Sequence, residues 1–194
     1  MPPRKAPTAR QRRLGAELRK MREHAGLSPN ESAALLGSDR TNISNIEAGR
    51  FGVSADRVHA LAANYECPDP AYVEALAAMA EERDKGWWEE YRGQLPADLL
   101  DLAETEAHAA GIRAVQVTHV PGLLQTEEYA KAVFEEGVPP QSPAQLRRTL
   151  SFRMKRRDVL DRDVPLDCIF IIHESALRME FGGPRLQEGS SNTC

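Results

Sequence analysis

The chain has 194 residues and carries 25 Lys and Arg against 29 Asp and Glu, which gives a formal net charge of −4. This length allows one large core or two modest ones. No apolar run reaches the roughly 18 residues of a membrane-spanning helix, and no signal-peptide core follows the basic start, so we expect a cytoplasmic protein. Cys67, Cys168 and Cys194 are odd in number and widely spaced, which favours reduced thiols over a disulfide framework or a zinc site.

Charge is divided unevenly along the chain. The residues through Tyr65 hold 11 Lys and Arg and 6 Asp and Glu, a net charge of +5, whereas the remaining 129 residues have a net charge of −9. Two domains with different partners are therefore predicted. We expect a disordered basic arm at 1–9, a helix-turn-helix DNA-binding domain at 10–68, a connecting helix at 69–86, an α+β regulatory or interaction domain at 87–185, and a disordered tail at 186–194.

The first two helices have clear sequence signals for their ends. The first carries one apolar stripe at helical spacing, made of Leu14, Leu18 and Met21. Gly26 is predicted to end that helix. Ser28 is a candidate N-cap for the second helix, with Pro29 at the first helical position and Glu31 completing a capping box. Gly37 then ends this short helix.

The third helix, over about 40–48, combines a narrow apolar side with a polar face. Ser38 or Asp39 can cap it, and Ile43 and Ile46 are its apolar residues. Its polar face consists of Arg40, Thr41, Ser44 and Asn45. A recognition helix presents such a stripe to base edges in the major groove, where arginine pairs with guanine and asparagine with adenine. The alternative interpretation is an ordinary solvated helix face.

The segment from Gly26 to Arg50 resembles the lambda-repressor-like helix-turn-helix family, also called the xenobiotic-response-element family. The resemblance lies in GLS at 26–28, the turn from Ala33 to Gly37 and ISNIEAGR at 43–50. It implies base contacts by Arg40, Thr41 and Asn45, and a structural pair between Arg22 and Glu47. One departure is Pro29, which stands where the family usually has a glutamine that contacts phosphate. Asn30 is the nearest substitute donor.

The predicted DNA contacts fall into two groups. Base contacts are assigned to Arg40, Thr41, Ser44 and Asn45. Phosphate contacts are assigned to donors on the first three helices and at their ends: Arg12, Arg13, Arg19, Ser28, Asn30, Asn42 and Arg50. Basic residues suit phosphates because neutralising them releases counterions. A disordered, merely solubilising N-terminus is the alternative for the arm.

Further along the chain, helices and strands are both predicted. Ser54 and Asp69 open a fourth and a fifth helix, and helices follow after Pro96, after Thr126 and over about 143–160. The stretch 112–118 alternates and predicts a half-buried strand with Val115 and Val117 on its apolar side. The apolar run 166–172 suits a central strand covered on both faces. The predicted fold is therefore an all-α five-helix repressor-like domain followed by a mixed α+β domain that we expect to be incomplete.

Several residues of the second half are candidates for binding. Trp87, Trp88 and Tyr129 are assigned to a partner or ligand surface, with packing between domains as the alternative for the two tryptophans. His119 and His173 each follow a predicted strand, and structural histidines are favoured over a pH-sensing or metal pair. For the basic cluster between Arg147 and Arg157 there are three interpretations. It is a solvated helix face, a surface that binds an acidic partner or phosphate, or a surface that pairs with the acidic residues of the same half.

A second resemblance covers the second half. It rests on GWW at 86–88, VPGLLQT at 120–126 and GGP at 182–184, and is to a group of actinobacterial regulators in which a repressor-like domain precedes a domain of undefined chemistry. That resemblance implies a transcription factor often paired with a small acidic protein encoded nearby, some pairs acting as toxin and antitoxin. Members usually continue well past the Gly-Gly-Pro turn, which is the reason for expecting an incomplete domain.

Taken together, these features predict a nucleoid-associated DNA-binding transcriptional regulator. It would act as a homodimer on an inverted repeat, with the C-terminal half dimerising and receiving a protein or small-molecule signal. The alternative is an antitoxin-like protein that sequesters a small protein partner and autoregulates its own operon. The chain lacks the motifs of a zinc protease, a nucleophile elbow or a phosphate loop, so we expect no enzymatic activity, no metal and no cofactor.

Overall fold

A computed structural model describes residues 6–82, 86–179 and 181. It divides into two compact units, Met1–Gly86 and Trp87–Cys194. The regular structure of the first unit consists of helices, which are α1 (Ala9–His24), α2 (Pro29–Leu35), α3 (Arg40–Glu47), α4 (Ala55–Asn64) and α5 (Pro70–Glu81).

Local hydrogen bonds explain where these helices begin and end. Each helix is preceded by an N-cap residue whose side-chain oxygen accepts a hydrogen bond from a backbone N–H of the first turn. The N-caps are Thr8, Ser28, Asp39, Ser54 and Asp69. The capping box of Ser28 and Glu31 is present as predicted. Gly26 and Gly37 follow α1 and α2 with φ of +70° and +58°, the left-handed conformation that commonly ends a helix.

One core joins the helices of the first unit. Its buried members from α1, α3 and α4 include Leu18, Ile46, Val58 and Leu61. Helix α5 adds Val73, Leu76 and Ala77 to the same core, so the predicted connecting helix at 69–86 packs within the first unit over its described part. Helix α1 begins at Ala9, inside the stretch assigned to the arm. Residues 1–5 of that arm lie outside the described residues.

The second unit mixes helices with a small parallel sheet, and the predicted fold class is thereby confirmed. Its elements are a 3₁₀ helix (Trp87–Tyr91), α6 (Ala97–Ala107), β1 (Gly111–Gln116), a 3₁₀ helix (Gly122–Leu124), α7 (Glu127–Glu135), α8 (Pro143–Arg156), a 3₁₀ helix (Arg157–Asp161), β2 (Asp167–Ile172) and α9 (Glu174–Arg178). The predicted Gly-Gly-Pro turn at 182–184 and the tail at 186–194 lie outside the described residues.

The sheet corrects the predicted faces of both strands. Strands β1 and β2 pair in parallel from Gly111 opposite Asp167 to Gln116 opposite Ile172, and burial alternates along each. Val115 and Val117, predicted to be on the buried side of β1, are 66% and 54% exposed. Ile171 of β2 is 59% exposed, so this strand is covered on one face rather than both. The alternation of side chains assigns residues to the two faces of a strand, but tertiary packing decides which face is buried.

Within the described residues, no helix has the length and apolar character needed to cross a membrane.

Candidate nucleic-acid interface

Helix α3 turns its apolar side inward and its polar side outward. Ile43 and Ile46 are 1% and 6% exposed. Along the outward side, Arg40, Thr41 and Ser44 are exposed and Asn45 is half-buried. Asp39 caps the helix by accepting the backbone N–H of Asn42 at 2.8 Å, so this cap is Asp39 rather than Ser38. The polar stripe therefore runs over the first six residues of α3, whose apolar side is buried in the core.

The side chains of this stripe are uncommitted in the free protein. Among the described residues, none of the four has a side-chain hydrogen bond or an ion pair; the four are Arg40, Thr41, Ser44 and Asn45. If these side chains had intramolecular partners, those hydrogen bonds would have to break before a ligand could be contacted. Such a surface can form hydrogen bonds with base edges without first breaking any within the protein.

A buried ion pair fixes the far end of α3 to α1. Arg22 donates from Nε to Glu47 Oε1 at 2.6 Å and from Nη2 to Glu47 Oε2 at 2.9 Å, a bidentate arrangement. Its Nη1 also donates to the carbonyl of Leu27 at 2.6 Å, which ties in the turn before α2. The hydrogen bond to Glu47, opposed by burial, raises the pKa of Arg22 above its ordinary value. These contacts set the orientation of the candidate recognition helix.

Two glycines let α1 approach the end of α3 at backbone distance. A Cβ at Gly15 would lie 2.5 Å from the Glu47 carbonyl oxygen and 2.6 Å from that of Ile46. Gly49, with φ of +69°, comes equally close to Gln11, because an added Cβ would be 2.7 Å from the Gln11 carbonyl carbon. Gly15 is not among the predicted site residues. A glycine inside an apolar helical stripe is the signal that could have revealed this close packing.

The candidate phosphate donors of α1 have partners within the protein. Arg12 donates to the carbonyl of Pro7 at 2.6 Å, Arg13 pairs with Glu17 at 2.7 Å, and Arg19 pairs with Glu23 at 2.7 Å. All three arginines are exposed. An exposed ion pair contributes only about 0 to 1 kcal/mol, so phosphate can replace Glu23 as the partner of Arg19 at little cost. Glu17, the partner of Arg13, is buried.

The remaining candidate phosphate donors differ in how they are held. Ser28 is engaged in the cap of α2, where its Oγ accepts from Glu31 N at 3.2 Å. Asn42 donates from Nδ2 to Ser38 Oγ at 2.7 Å. Asn30 and Arg50 are exposed, and neither side chain has a hydrogen-bond partner among the described residues. Asn30 and Arg50 can thus contact phosphate without giving up a hydrogen bond to another described residue.

Comparison with known proteins supports this interpretation of the first unit. Residues 13–76 match the family model of a helix-turn-helix domain. The chain carries a helix-turn-helix domain. Residues 99–189 match a second family model, described as a domain of unknown function (DUF5753). No curated protein and no solved structure matches the chain significantly. The helix-turn-helix domain supports a DNA-binding regulator.

The predicted partner or ligand surface of the second unit is not one surface. Trp88 is 6% exposed and packs with Leu100 and Phe152, with Trp87 at the side of this cluster. Tyr129 is fully buried in another cluster, and its hydroxyl accepts the backbone N–H of Val120 at 3.3 Å. These three residues are instead parts of two cores, because their large apolar rings are the main packing material of this unit.

The histidines and the basic cluster also have internal partners. His119 lies 2.7 Å from the Thr118 hydroxyl, and His173 caps α9 by accepting Ser175 N at 3.1 Å. No cluster of three or more potential metal ligands occurs among the described residues. From the basic cluster, Arg156 forms a bidentate pair with Glu106 at 2.8 and 2.6 Å, both side chains being buried. At least this part of the cluster has its acidic match within the unit.

Proposed function

We propose that the chain is a sequence-specific DNA-binding transcriptional regulator that places α3 in the major groove. The observation that carries this proposal is the exposed, uncommitted polar stripe of Arg40, Thr41, Ser44 and Asn45 on a helix anchored by Ile43 and Ile46. Recognition helices of helix-turn-helix domains contact base edges with their N-terminal residues, the part of α3 where this stripe begins.

The chemistry of the stripe suits direct readout. Arg40 donates two parallel hydrogen bonds to guanine O6 and N7, and Asn45 pairs with adenine N6 and N7. Thr41 and Ser44 serve bases or adjacent phosphates. A well-formed bidentate pair discriminates against a wrong base by about 1 to 3 kcal/mol, so two such pairs account for useful specificity within one half-site.

Phosphate contacts supply affinity around this stripe. The proposed donors are Arg12, Arg13, Arg19, Ser28, Asn30, Asn42 and Arg50, on a segment with a net charge of +5 through Tyr65. On α1 the pair of Arg19 with Glu23 is exposed on both sides and therefore weak, so its exchange for phosphate oxygens is favourable once counterions are released.

Two copies bind one inverted repeat in this proposal, and the second unit supplies dimerisation and receives the signal. The resemblance to lambda-repressor-like proteins and to the actinobacterial regulators supports this organisation. Half-sites on one face of the duplex lie about 34 to 36 Å apart, which sets the separation of the paired α3 helices.

Selection of bound fragments from random DNA with the full chain tests the proposal. A recovered palindrome with guanine and adenine at fixed positions in each half-site is the expected result. Recovery of fragments without a shared sequence would contradict sequence-specific recognition, and a shared but unrepeated sequence would contradict the symmetric dimer.

Charge-matched variants separate base reading from phosphate binding. Arg40→Ala should weaken binding to the selected site by about 5-fold to 150-fold with little change on random DNA. Arg50→Ala should weaken both DNAs alike and reduce the salt slope by about 1. Arg178→Ala removes the same charge from an exposed position of the second unit and should change neither. Equal losses on both DNAs for Arg40→Ala would remove Arg40 from the base contacts.

A further inference from the structure

The second unit contains a cavity of about 380 Å³ beside the covered face of its sheet. Its walls are formed by α6, by β1 and by the short 3₁₀ helix that follows β1. The apolar part of the wall consists of Ile112 and Ala114 from β1, Phe170 from β2 and Leu123 from the 3₁₀ helix. This volume falls in the range of about 300 to 1,000 Å³ that is typical of small-molecule sites, which also are mostly apolar with a few polar groups.

Five residues of this cavity carry polar side chains, and two of them have partners elsewhere, since Thr105 donates to the Asp101 carbonyl and Arg113 pairs with Asp167. Glu106 and Arg156 line the cavity and are 9% and 7% exposed. Arg156 uses Nε and Nη2 to bind Glu106, whereas no hydrogen bond from its Nη1 is found among the described residues. Gln116 lines the same cavity, and its carboxamide likewise has no partner among the described residues. Two sets of N–H donors are thus left for a ligand.

The electrostatic balance at this wall favours an anion. Arg153 lies behind Gly122, where an added Cβ would be 2.8 Å from Arg153 Nη1, and it donates to the neutral Gln125 at 2.7 Å. Burial and the charge of Arg156 lower the pKa of Arg153 to about 10, so it stays protonated at neutral pH. Glu106 thus interacts with two guanidinium groups, and the charge of Arg153, which lies behind the lining residues, has no ion-pair partner among the described residues.

We propose that this cavity binds a small monocarboxylate with an apolar body. The carboxylate accepts hydrogen bonds from Arg156 Nη1 and Gln116 Nε2, and the apolar body packs against Ile112 and Phe170. Charge-assisted hydrogen bonds of this kind are the stronger class, which gives the carboxylate end its selectivity. Every residue involved belongs to the second unit, so the site does not depend on the DNA-binding proposal.

Octanoate and 1-octanol are matched probes, because they have the same chain length and differ in the charged end. Titration of each into the full chain, followed by ligand-observed NMR at neutral pH, gives the two dissociation constants. We expect octanoate to bind at least tenfold more tightly than 1-octanol. Equal affinity, or no octanoate binding, would overturn the proposal.

Substitutions on the two faces of β1 locate the binding. Ala114→Phe fills the cavity and should weaken octanoate binding at least tenfold. Val115→Phe adds the same ring one residue away on the exposed face and should leave the affinity unchanged. Unchanged affinity in a folded Ala114→Phe variant, or loss in Val115→Phe alone, would overturn the proposal.

A third variant decides the matter if Ala114→Phe does not fold. Gln116→Leu removes the carboxamide donor while the backbone carbonyl of residue 116, which accepts from His173 N at 2.8 Å, is retained. This variant should lower octanoate affinity at least threefold and spare 1-octanol. Equal effects on the two probes, or no effect on either, would overturn the assignment of the carboxylate to Gln116 and Arg156 and with it the proposal.

Discussion

Replacing Gly15 with alanine tests the close packing that orients α3. The new Cβ would lie 2.5 Å from the Glu47 carbonyl oxygen, whereas ordinary contact begins at 3.4 Å, so α1 and the end of α3 must separate by about 0.9 Å. Overpacking of this kind costs about 1 to 3 kcal/mol. Alanine recovers about 1 kcal/mol through its higher helix propensity. Because the obstructing atoms are backbone and cannot turn aside, we expect the upper part of that range, about 2 to 3 kcal/mol, and therefore a net loss of about 1 to 2 kcal/mol.

Two optical probes separate the units in this experiment. Both tryptophans of the chain, Trp87 and Trp88, lie in the second unit, so their fluorescence reports its unfolding, while far-ultraviolet circular dichroism reports helices of both. For a domain of this size, the expected loss lowers the midpoint of the first unit by roughly 4 to 16 °C. The fluorescence midpoint should not move.

Gly52→Ala is the matched control, since a Cβ there meets nothing within 4 Å. That variant should be neutral or slightly stabilising, by up to about 1 kcal/mol, because alanine restricts the unfolded chain. A Gly15→Ala protein as stable as Gly52→Ala would refute the reasoning that backbone contact fixes α3 to α1.

Two further predictions concern buried carboxylates. Glu17 is buried and accepts from the Tyr72 hydroxyl at 2.8 Å; burial alone would raise its pKa, but the hydrogen bonds from Tyr72 and Lys20 outweigh this and the pKa is lowered. Tyr72→Phe should therefore destabilise the first unit by about 1 to 2 kcal/mol at neutral pH, as measured by denaturant titration. The difference in stability from the parent chain should shrink as pH falls through the lowered pKa of Glu17, because the carboxylate is then protonated. Glu106→Gln leaves Arg156 buried and unpaired, so it should cost the second unit about 3 to 5 kcal/mol by tryptophan fluorescence. The same change at the exposed Glu174, which faces Arg178, should cost no more than about 1 kcal/mol; similar costs at both sites would show that burial of the pair at Glu106 is unimportant.

Helix ends were predictable because their signals are local. The caps at Ser28, Ser54 and Asp69 depend on hydrogen bonds to residues three positions away, and the glycine ends depend on a single φ angle. The polar and apolar sides of α3 were predictable for a similar reason, since they follow from helical periodicity. Candidate DNA contacts assigned from that periodicity stay predictions.

Structural features that depend on residues distant in sequence could not be predicted from hydrophobic periodicity. Val115 and Val117 look like the buried side of a strand, but the more covered side is the other one, where Ala114 and Gln116 lie. Arg156 reads as one of several basic residues on a helix, and its buried partner lies 50 positions earlier. In both cases the outcome depends on tertiary packing, which a local pattern does not contain.

Replacing a single base atom in the selected site tests the central claim most directly. If Arg40 donates to guanine N7 in the major groove, substituting 7-deazaguanine at that position removes one acceptor and leaves the base pair intact. We predict that this substitution weakens binding of the parent chain severalfold and leaves binding of Arg40→Ala unchanged. An equal loss for both proteins, or no guanine whose N7 matters to the parent chain, would contradict base reading by Arg40 of α3.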